Sequence, residues 1–268
     1  MAMHDLRLSM VQMNPIVGDI DGNLGKILSV CASANDAESD IICLPEMCLT
    51  GYGMPDSADR LLQDDDPAIG RILDVSADTG MCICFGYGSC DRTIRHAVAE
   101  NGKIIGTYDK THLGEREKVM ACGSELDVVR TSKAVIGLQL CWESHFPEIS
   151  TTLAMKGADI ILMPFASGLG GDRRRSSWLR YLPARAYDNT VYVGACNSFG
   201  DNGLGTVFGG GAMILDPRGS VLAEDFSGRG LITADLTSEP LDRIRAEGYE
   251  SMRDLYFLDK RRPELYFR

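Results

Sequence analysis

With 268 residues the chain is long enough to bury a sizeable core, and an α/β protein of this length commonly forms one unit. Its 38 acidic against 27 basic residues leave a formal net charge of −11, which opposes non-specific binding to nucleic acid or to an anionic membrane surface. No apolar stretch reaches the roughly 18 residues that span a bilayer, and the opening MAMHDLRLSM lacks the basic segment and apolar core of a signal peptide; a cytoplasmic protein with no membrane partner is expected.

Strand-like and helical patterns alternate along the chain. LRLSMVQM reads as a strand, 23–37 as a helix, DIICLPEM as a strand, 67–78 as a helix and MCICFGYG as a strand. AVAENGKIIGTYD then reads as a hairpin turning at Asn101-Gly102, a dipeptide suited to positive φ. Further on come the strand AVIGLQLCW, a helix over 146–156, the strand DIILMPFAS, a helix near 176–189 and the strand VYVGACNS. A second hairpin, GGGAMILDPRGSVLAED, turns at DPRG. The alternation predicts βαβ units around a largely parallel sheet, made mixed by the two hairpins. AESDIICLPEM and KGADIILMPFA share the order helix end, Asp, apolar strand, Pro, which hints at two related halves.

Nine cysteines without a repeated framework suit a reducing compartment rather than a disulfide-stapled fold. Cys82 and Cys84 are two apart, on one face of a strand, and are read as packing rather than as a CxxC site. The four histidines, His4, His96, His112 and His145, are too dispersed to suggest a metal cluster. Gly209 to Gly211 enter a strand with no GK[ST] after them, so close backbone packing is preferred to a phosphate cradle.

Three predicted strands end on a reactive side chain: Glu46 in CLPEMCLTGY, Lys110 in IIGTYDKTHL and Cys141 in GLQLCWESHFPE. Ligands of α/β sheets bind beyond the carboxyl ends of strands, so the three side chains can converge there. Taken singly, each has a plainer explanation: Glu46 as a cap, Lys110 as a solvated charge and Cys141 as a small core residue.

Together with QMNPIVGDIDGN, YDKTHLGEREKVMACGSEL, DIILMPFAS, ARAYDNTVYVGACN and GGGAMILDPRGSVLAE, these three motifs closely resemble those of the nitrilase superfamily of carbon–nitrogen hydrolases, in the family order. The resemblance runs over nearly the whole chain, to the terminal RRPELYFR. It implies a four-layer α-β-β-α sandwich, a single hydrolase domain over 1–268 with 249–268 as a C-terminal tail, no cofactor and no metal, and assembly into a homodimer or higher oligomer. QMNPIVGDIDGN and LTGY also resemble the glutaminase domain of glutamine-dependent NAD synthetases.

The resemblance further implies that Cys141 is the nucleophile, Glu46 the proton carrier, and Lys110 with the backbone N–H of Trp142 the oxyanion donors. Glu117 matches the supporting glutamate, with Glu115 as its alternative, and Tyr52, Phe165 and Arg173 are the expected substrate-binding residues. Arg173 to Arg175 are read as part of a glycine-rich loop in which an arginine would suit a substrate carboxylate. ARAYDN departs from the family's commoner Arg-Ala-x-Glu-Asn at Asp188, and Arg185 and Asn189 are expected to fix a helix near the site. The activity implied is hydrolysis of a small aliphatic carboxamide, ω-amides included, through a cysteine thioester with release of ammonia. Cys141-Trp142-Glu143 is closer to true nitrilases than the Cys-Tyr-Asp of many amidases, so a nitrilase or an N-carbamoyl-amino-acid amidohydrolase is the alternative. A noncatalytic interaction protein of the same fold is the remaining rival.

Overall fold

The computed structural model describes residues 2–54, 60–246 and 256–266. The N-terminal half runs β1 (Leu6–Gln12), α1 (Ile20–Asp36), β2 (Ile41–Cys43), α2 (Pro67–Thr79), β3 (Cys82–Gly88), β4 (Ile94–Glu100) and β5 (Lys103–Asp109). β1, β2 and β3 are parallel, and β4 and β5 continue the sheet antiparallel. The second half repeats this plan with β7 (Val135–Leu138), α3 (Pro147–Met155), β8 (Ile160–Phe165), α4 (Gly171–Trp178), α5 (Leu182–Asn189), β9 (Tyr192–Asn197), β12 (Ala212–Leu215) and β13 (Val221–Asp225). Again three strands are parallel and two follow antiparallel. The hairpin of β10 (Phe199–Asp201) and β11 (Val207–Gly209) stands apart.

One strand from each half crosses to the other sheet. β6 (Val128–Arg130) pairs with β7, and β14 (Gly230–Leu236) pairs with β1, before a last helix, α6 (Glu239–Arg245). The result is two six-stranded sheets of matching order, β14-β1-β2-β3-β4-β5 and β13-β12-β9-β8-β7-β6. The similarity of the segments around Ile41 and Ile160 reflects this repeat, since both are middle strands that follow a helix.

Strand parity dictates the layers. Leu8, Met10, Ile41, Cys43, Ile136 and Leu162 point inward and pack the two sheets face to face. The alternate residues Val11, Ile42 and Ile83 meet Ile27 of α1 and Ile72 of α2, while Ile161, Val193 and Met213 meet Leu153 of α3 and Trp178 of α4. Both faces of each central strand are therefore buried, which explains their continuous apolar sequences, and the layers stack as the α-β-β-α sandwich. Cys82 and Cys84 both fill the inner layer.

The elements differ from the sequence reading where side chains intervene. α1 starts at Ile20 rather than 23 because the Asp19 side chain accepts a hydrogen bond from Gly22 N at 3.1 Å. The predicted helix over 176–189 is two helices, the second opening with Pro183, which cannot donate to a preceding turn. The first of them begins at Gly171, so Arg173 to Arg175 are helical and not in a loop. Asn101 and Gly102 have φ of 50° and 77°, as the β4–β5 turn requires. Of the expected tail, 249–255 and 267–268 lie outside the described residues; Leu258 is buried, Phe257 packs on Tyr187 of α5 at 5.5 Å between ring centres, and Leu265 and Tyr266 are exposed.

Candidate active site

The strand ends bring the expected residues together. Beyond β2, Leu44 N still donates to Cys84 O, but Pro45 has no N–H and the ladder stops, releasing the chain into a bend that carries Glu46 and a left-handed Met47, φ 51°. Gly86 permits this bend, because a Cβ there would lie 2.6 Å from Met47 N. Lys110 follows β5 and is fixed by its own backbone, its N–H donating to Ile94 O and its carbonyl accepting from Gly123 N, each at 2.9 Å. Cys141 opens a 3-10 turn, Cys141–His145, with φ of 44°. A non-glycine residue there is strained by roughly 1–3 kcal/mol, and its thiol is half-buried.

Lys110 Nζ, fully buried, donates to Glu46 Oε1 and to Glu117 Oε1, both at 2.7 Å. Glu117 also accepts from Tyr52 OH at 2.8 Å and, through Oε2, from Gly114 N at 2.6 Å. Glu115 instead is exposed and pairs with Lys118, which separates the two glutamates left open by the sequence. Glu46 Oε2 is buried and has no hydrogen-bond partner among the described residues, so an acceptor is held ready beside the cation.

Burial pushes the Glu46 carboxyl up from 4.5 to about 7; Lys110 opposes the rise and Glu117 adds to it. Burial, together with the charge of Glu46, pushes the Cys141 thiol up to about 12, although Lys110 and the Ala166 backbone favour the thiolate. For Lys110, burial favours the neutral amine, but Glu46, Cys141 and Glu117 outweigh it and hold the ammonium above its ordinary 10.5. At neutral pH the resting site is thus a thiol and an ammonium beside a Glu46 carboxyl held well above its ordinary range.

Glu143 is a residue whose place the sequence did not disclose. Its buried Oε1 accepts from Tyr108 OH, Thr111 N, Thr111 Oγ1 and His112 N at 2.7–3.1 Å, and Oε2 accepts from Leu140 N at 2.8 Å. One carboxylate therefore ties the segment after Lys110 to the turn that carries Cys141. Arg185 braces the same turn from α5, donating to Ser144 O at 3.2 and 3.3 Å, and Asn189 Nδ2 holds Arg185 O at 2.9 Å.

Of the expected substrate residues, Tyr52 is half-buried, bonded to Glu117 and edge-on to Phe208, and Phe165 is buried at the end of β8, next to Ala166. Arg173 lies exposed on α4, whereas the helix turns its neighbour Arg174 inward, where it is only 4% exposed. Helical phase explains the difference, since Arg174 and the buried Trp178 are four residues apart. Trp142 presents its side chain to solvent, 47% exposed, and its N–H belongs to the first turn of a 3-10 segment, where donors lack intrahelical partners.

Among the described residues no three His, Cys, Asp or Glu side chains are grouped to hold a metal, and no helix is long and apolar enough to cross a membrane. The chain is similar to the glutamine-dependent NAD(+) synthetase of Thermotoga maritima, 30% identical over 82% of this chain and 40% of that protein. It is 28% identical to the nitrilase of Pyrococcus abyssi over 98% of this chain and all of the relative. Its structure is similar to that of an amidase from Nesterenkonia sp., with a TM-score of 0.81 and 26% identity over 99% of this chain and 96% of the other. The carbon-nitrogen hydrolase family model matches residues 7–246, and with that match the chain belongs to the carbon–nitrogen hydrolases of the nitrilase superfamily.

Proposed function

We propose that this enzyme is a thiol amidohydrolase that cleaves the C–N bond of a small aliphatic carboxamide. One observation carries the reading: a buried lysine clamped at 2.7 Å by two glutamates, one of which keeps a free buried oxygen, beside a strained, accessible cysteine. Because the thiol lies far above Glu46 in pKa, prior formation of a thiolate is unfavourable. Glu46 instead takes the proton while sulfur bonds to the carbonyl carbon. The oxyanion of the tetrahedral intermediate is held by Lys110 and the N–H of Trp142, a kind of contact whose loss typically costs about 3–4 kcal/mol. Glu46 then gives its proton to the departing nitrogen, ammonia leaves, and a thioester is formed. Water adds to the thioester with its proton passing to Glu46, and the acid and the free thiol are regenerated. Glu117 orients Lys110 throughout.

The relatives support both this reading and its rival. A cysteine variant of the Nesterenkonia amidase is in complex with butyramide, and a glutamate variant of it carries the acetamide moiety of fluoroacetamide on its active-site cysteine, whereas the Pyrococcus relative is a nitrilase. Cys141-Trp142-Glu143 favours the rival on sequence alone, but Glu143 is occupied in bracing the two catalytic segments, a task common to either substrate. Ammonia release from matched amides, ureido acids and nitriles tests the choice. Carboxamides are expected to be hydrolysed at least tenfold better in kcat/KM; a nitrile turned over as fast as its amide would overturn the reading.

A further inference from the structure

The turn that carries the nucleophile is fastened by a buried amide that the proposed mechanism does not use. Gln139 lies directly after β7 and two residues before Cys141, with its backbone N–H donating to Leu162 O of β8 at 3.1 Å. Its side chain and that of Ser150 on α3 are both fully buried. Gln139 Nε2 donates to Glu143 O at 2.6 Å and to Phe146 O at 3.1 Å, and its Oε1 accepts from Ser150 Oγ at 2.6 Å. Carbonyl oxygens can only accept, so the amide NH2 faces the turn and the amide oxygen is left to Ser150.

These bonds add position rather than satisfaction. Glu143 O already accepts from Phe146 N at 2.9 Å, and Phe146 O from Ile149 N at 3.2 Å. A buried amide is costly where an apolar side chain would pack, so its presence here calls for a reason. The reason lies in what the bonds enclose. Gln139 precedes Cys141 whereas Glu143 and Phe146 follow it, so one side chain spans the left-handed residue, φ 44°, from the strand to the exit of the turn. A non-glycine residue keeps such a conformation only where its surroundings over-determine it. Ser150 then fastens the same amide to the helix beyond.

We infer that Gln139, oriented by Ser150, is a positioning residue for the nucleophile: it holds Cys141 in its left-handed conformation and so keeps the thiol and the Trp142 N–H aimed at one carbonyl group. This rests on the amidase reading for the role of that N–H. Sulfur acts on the carbon and the N–H on the oxygen, so a turn free to relax misplaces both in the transition state while leaving the ground-state pocket as it was.

The test is Gln139→Met, which keeps the length of the side chain and removes the amide. For butyramide, read as ammonia release, kcat should fall at least tenfold with KM changed by less than about twofold. Butyraldehyde samples the same two groups without turnover, since the Cys141 sulfur adds to its carbonyl carbon while the thiol proton passes to the oxygen. Its Kd, measured calorimetrically, should rise by the same factor as kcat falls. Butyramide titrated into Cys141→Ala, with and without Gln139→Met, should bind with affinities within about twofold of each other. Ser150→Ala should lower kcat about fivefold alone and less than about twofold on top of Gln139→Met, because both changes open one clamp. Unchanged kcat and butyraldehyde affinity in Gln139→Met overturn the inference; if that variant does not fold, the same result in Ser150→Ala does so. Equal weakening of butyramide and butyraldehyde overturns it too, since the whole pocket would then have loosened, as does a Ser150→Ala effect that adds in full to that of Gln139→Met. If the unmodified enzyme released no ammonia from any carboxamide while Gln139→Met still weakened butyraldehyde, the amidase reading would fail and the positioning role would stand.

Discussion

Glu117→Gln removes one negative charge from beside Lys110 while keeping the shape of the side chain. The oxygens of Glu46 and Glu117 each lie 2.7 Å from Nζ, so they are at most about 5.4 Å apart. At an effective dielectric constant of about 20, two unit charges at that separation repel by about 3 kcal/mol. This repulsion helps to hold Glu46 near 7, and at 1.36 kcal/mol per factor of ten its removal should lower the Glu46 pKa by up to about two pH units. The acidic limb of kcat/KM reports the base of the free enzyme, so it should move from about 7 toward 5. The rate should fall at the same time, by about a hundredfold, because the new amide nitrogen must face either the Lys110 ammonium or Gly114 N–H, setting donor against donor. Ammonia release measured from pH 4.5 to 9 reads both effects. A limb that stays in place or moves upward would refute the electrostatic coupling, and an unchanged rate would refute the orienting role of Glu117.

Cys141→Ala should abolish ammonia release and leave circular dichroism and melting near those of the unmodified protein; substantial residual turnover would remove Cys141 from the mechanism. Glu143→Gln keeps one acceptor but turns an amide group toward Leu140 N or the Thr111 donors, so kcat should fall at least tenfold with KM little changed; a normal kcat would make the brace dispensable. Light scattering should give the mass of a dimer or larger assembly that shrinks when 249–268 are deleted, since Leu265 and Tyr266 expose apolar surface; a monomer before deletion would defeat that expectation.

What the sequence disclosed and what it hid follow from the range of the interactions involved. Continuous apolar strands and the Asn101-Gly102 turn are local signals, and they located β1 to β5 and β7 to β9 within a few residues. β14 escaped because GLITADL is half exposed and owes its place to β1, more than 200 residues away, with Leu6 opposite Leu236. β6 is only three residues long, one of them buried, and leaves too short a pattern although its hairpin with β7 is local. The triad was legible because each member lies at the end of a recognisable strand. Glu143 was not, because four of its five donors come from residues 108–112, more than thirty residues earlier in the chain. The burial of Arg174 was missed through one boundary: reading Arg173 to Arg175 as a loop removed the helical phase that buries Arg174 together with Trp178.

Burying the Glu46 carboxyl has a thermodynamic consequence. Its carboxyl rises from 4.5 to about 7 on folding, chiefly through burial, so folding binds a proton between those values. A group with a raised folded pKa contributes stability that is fully present below its unfolded pKa and is lost as pH climbs through the folded one. The window is therefore pH 4.5 to 7, and the loss across it is about 3 kcal/mol at 1.36 kcal/mol per pH unit. Glu46→Gln cannot titrate, so the loss should vanish from that variant. Urea midpoints for both proteins at pH 4.5, 6 and 7.5 would show the variant gaining on the unmodified protein as pH rises. A constant difference across the three pH values would mean that Glu46 ionises normally in the folded protein. Proton transfer from Cys141 would then need a stronger base than the buried carboxyl described here. A difference that grows as predicted would mean that the burial which raises the Glu46 carboxyl, as the proposed base requires, also sets its cost in stability.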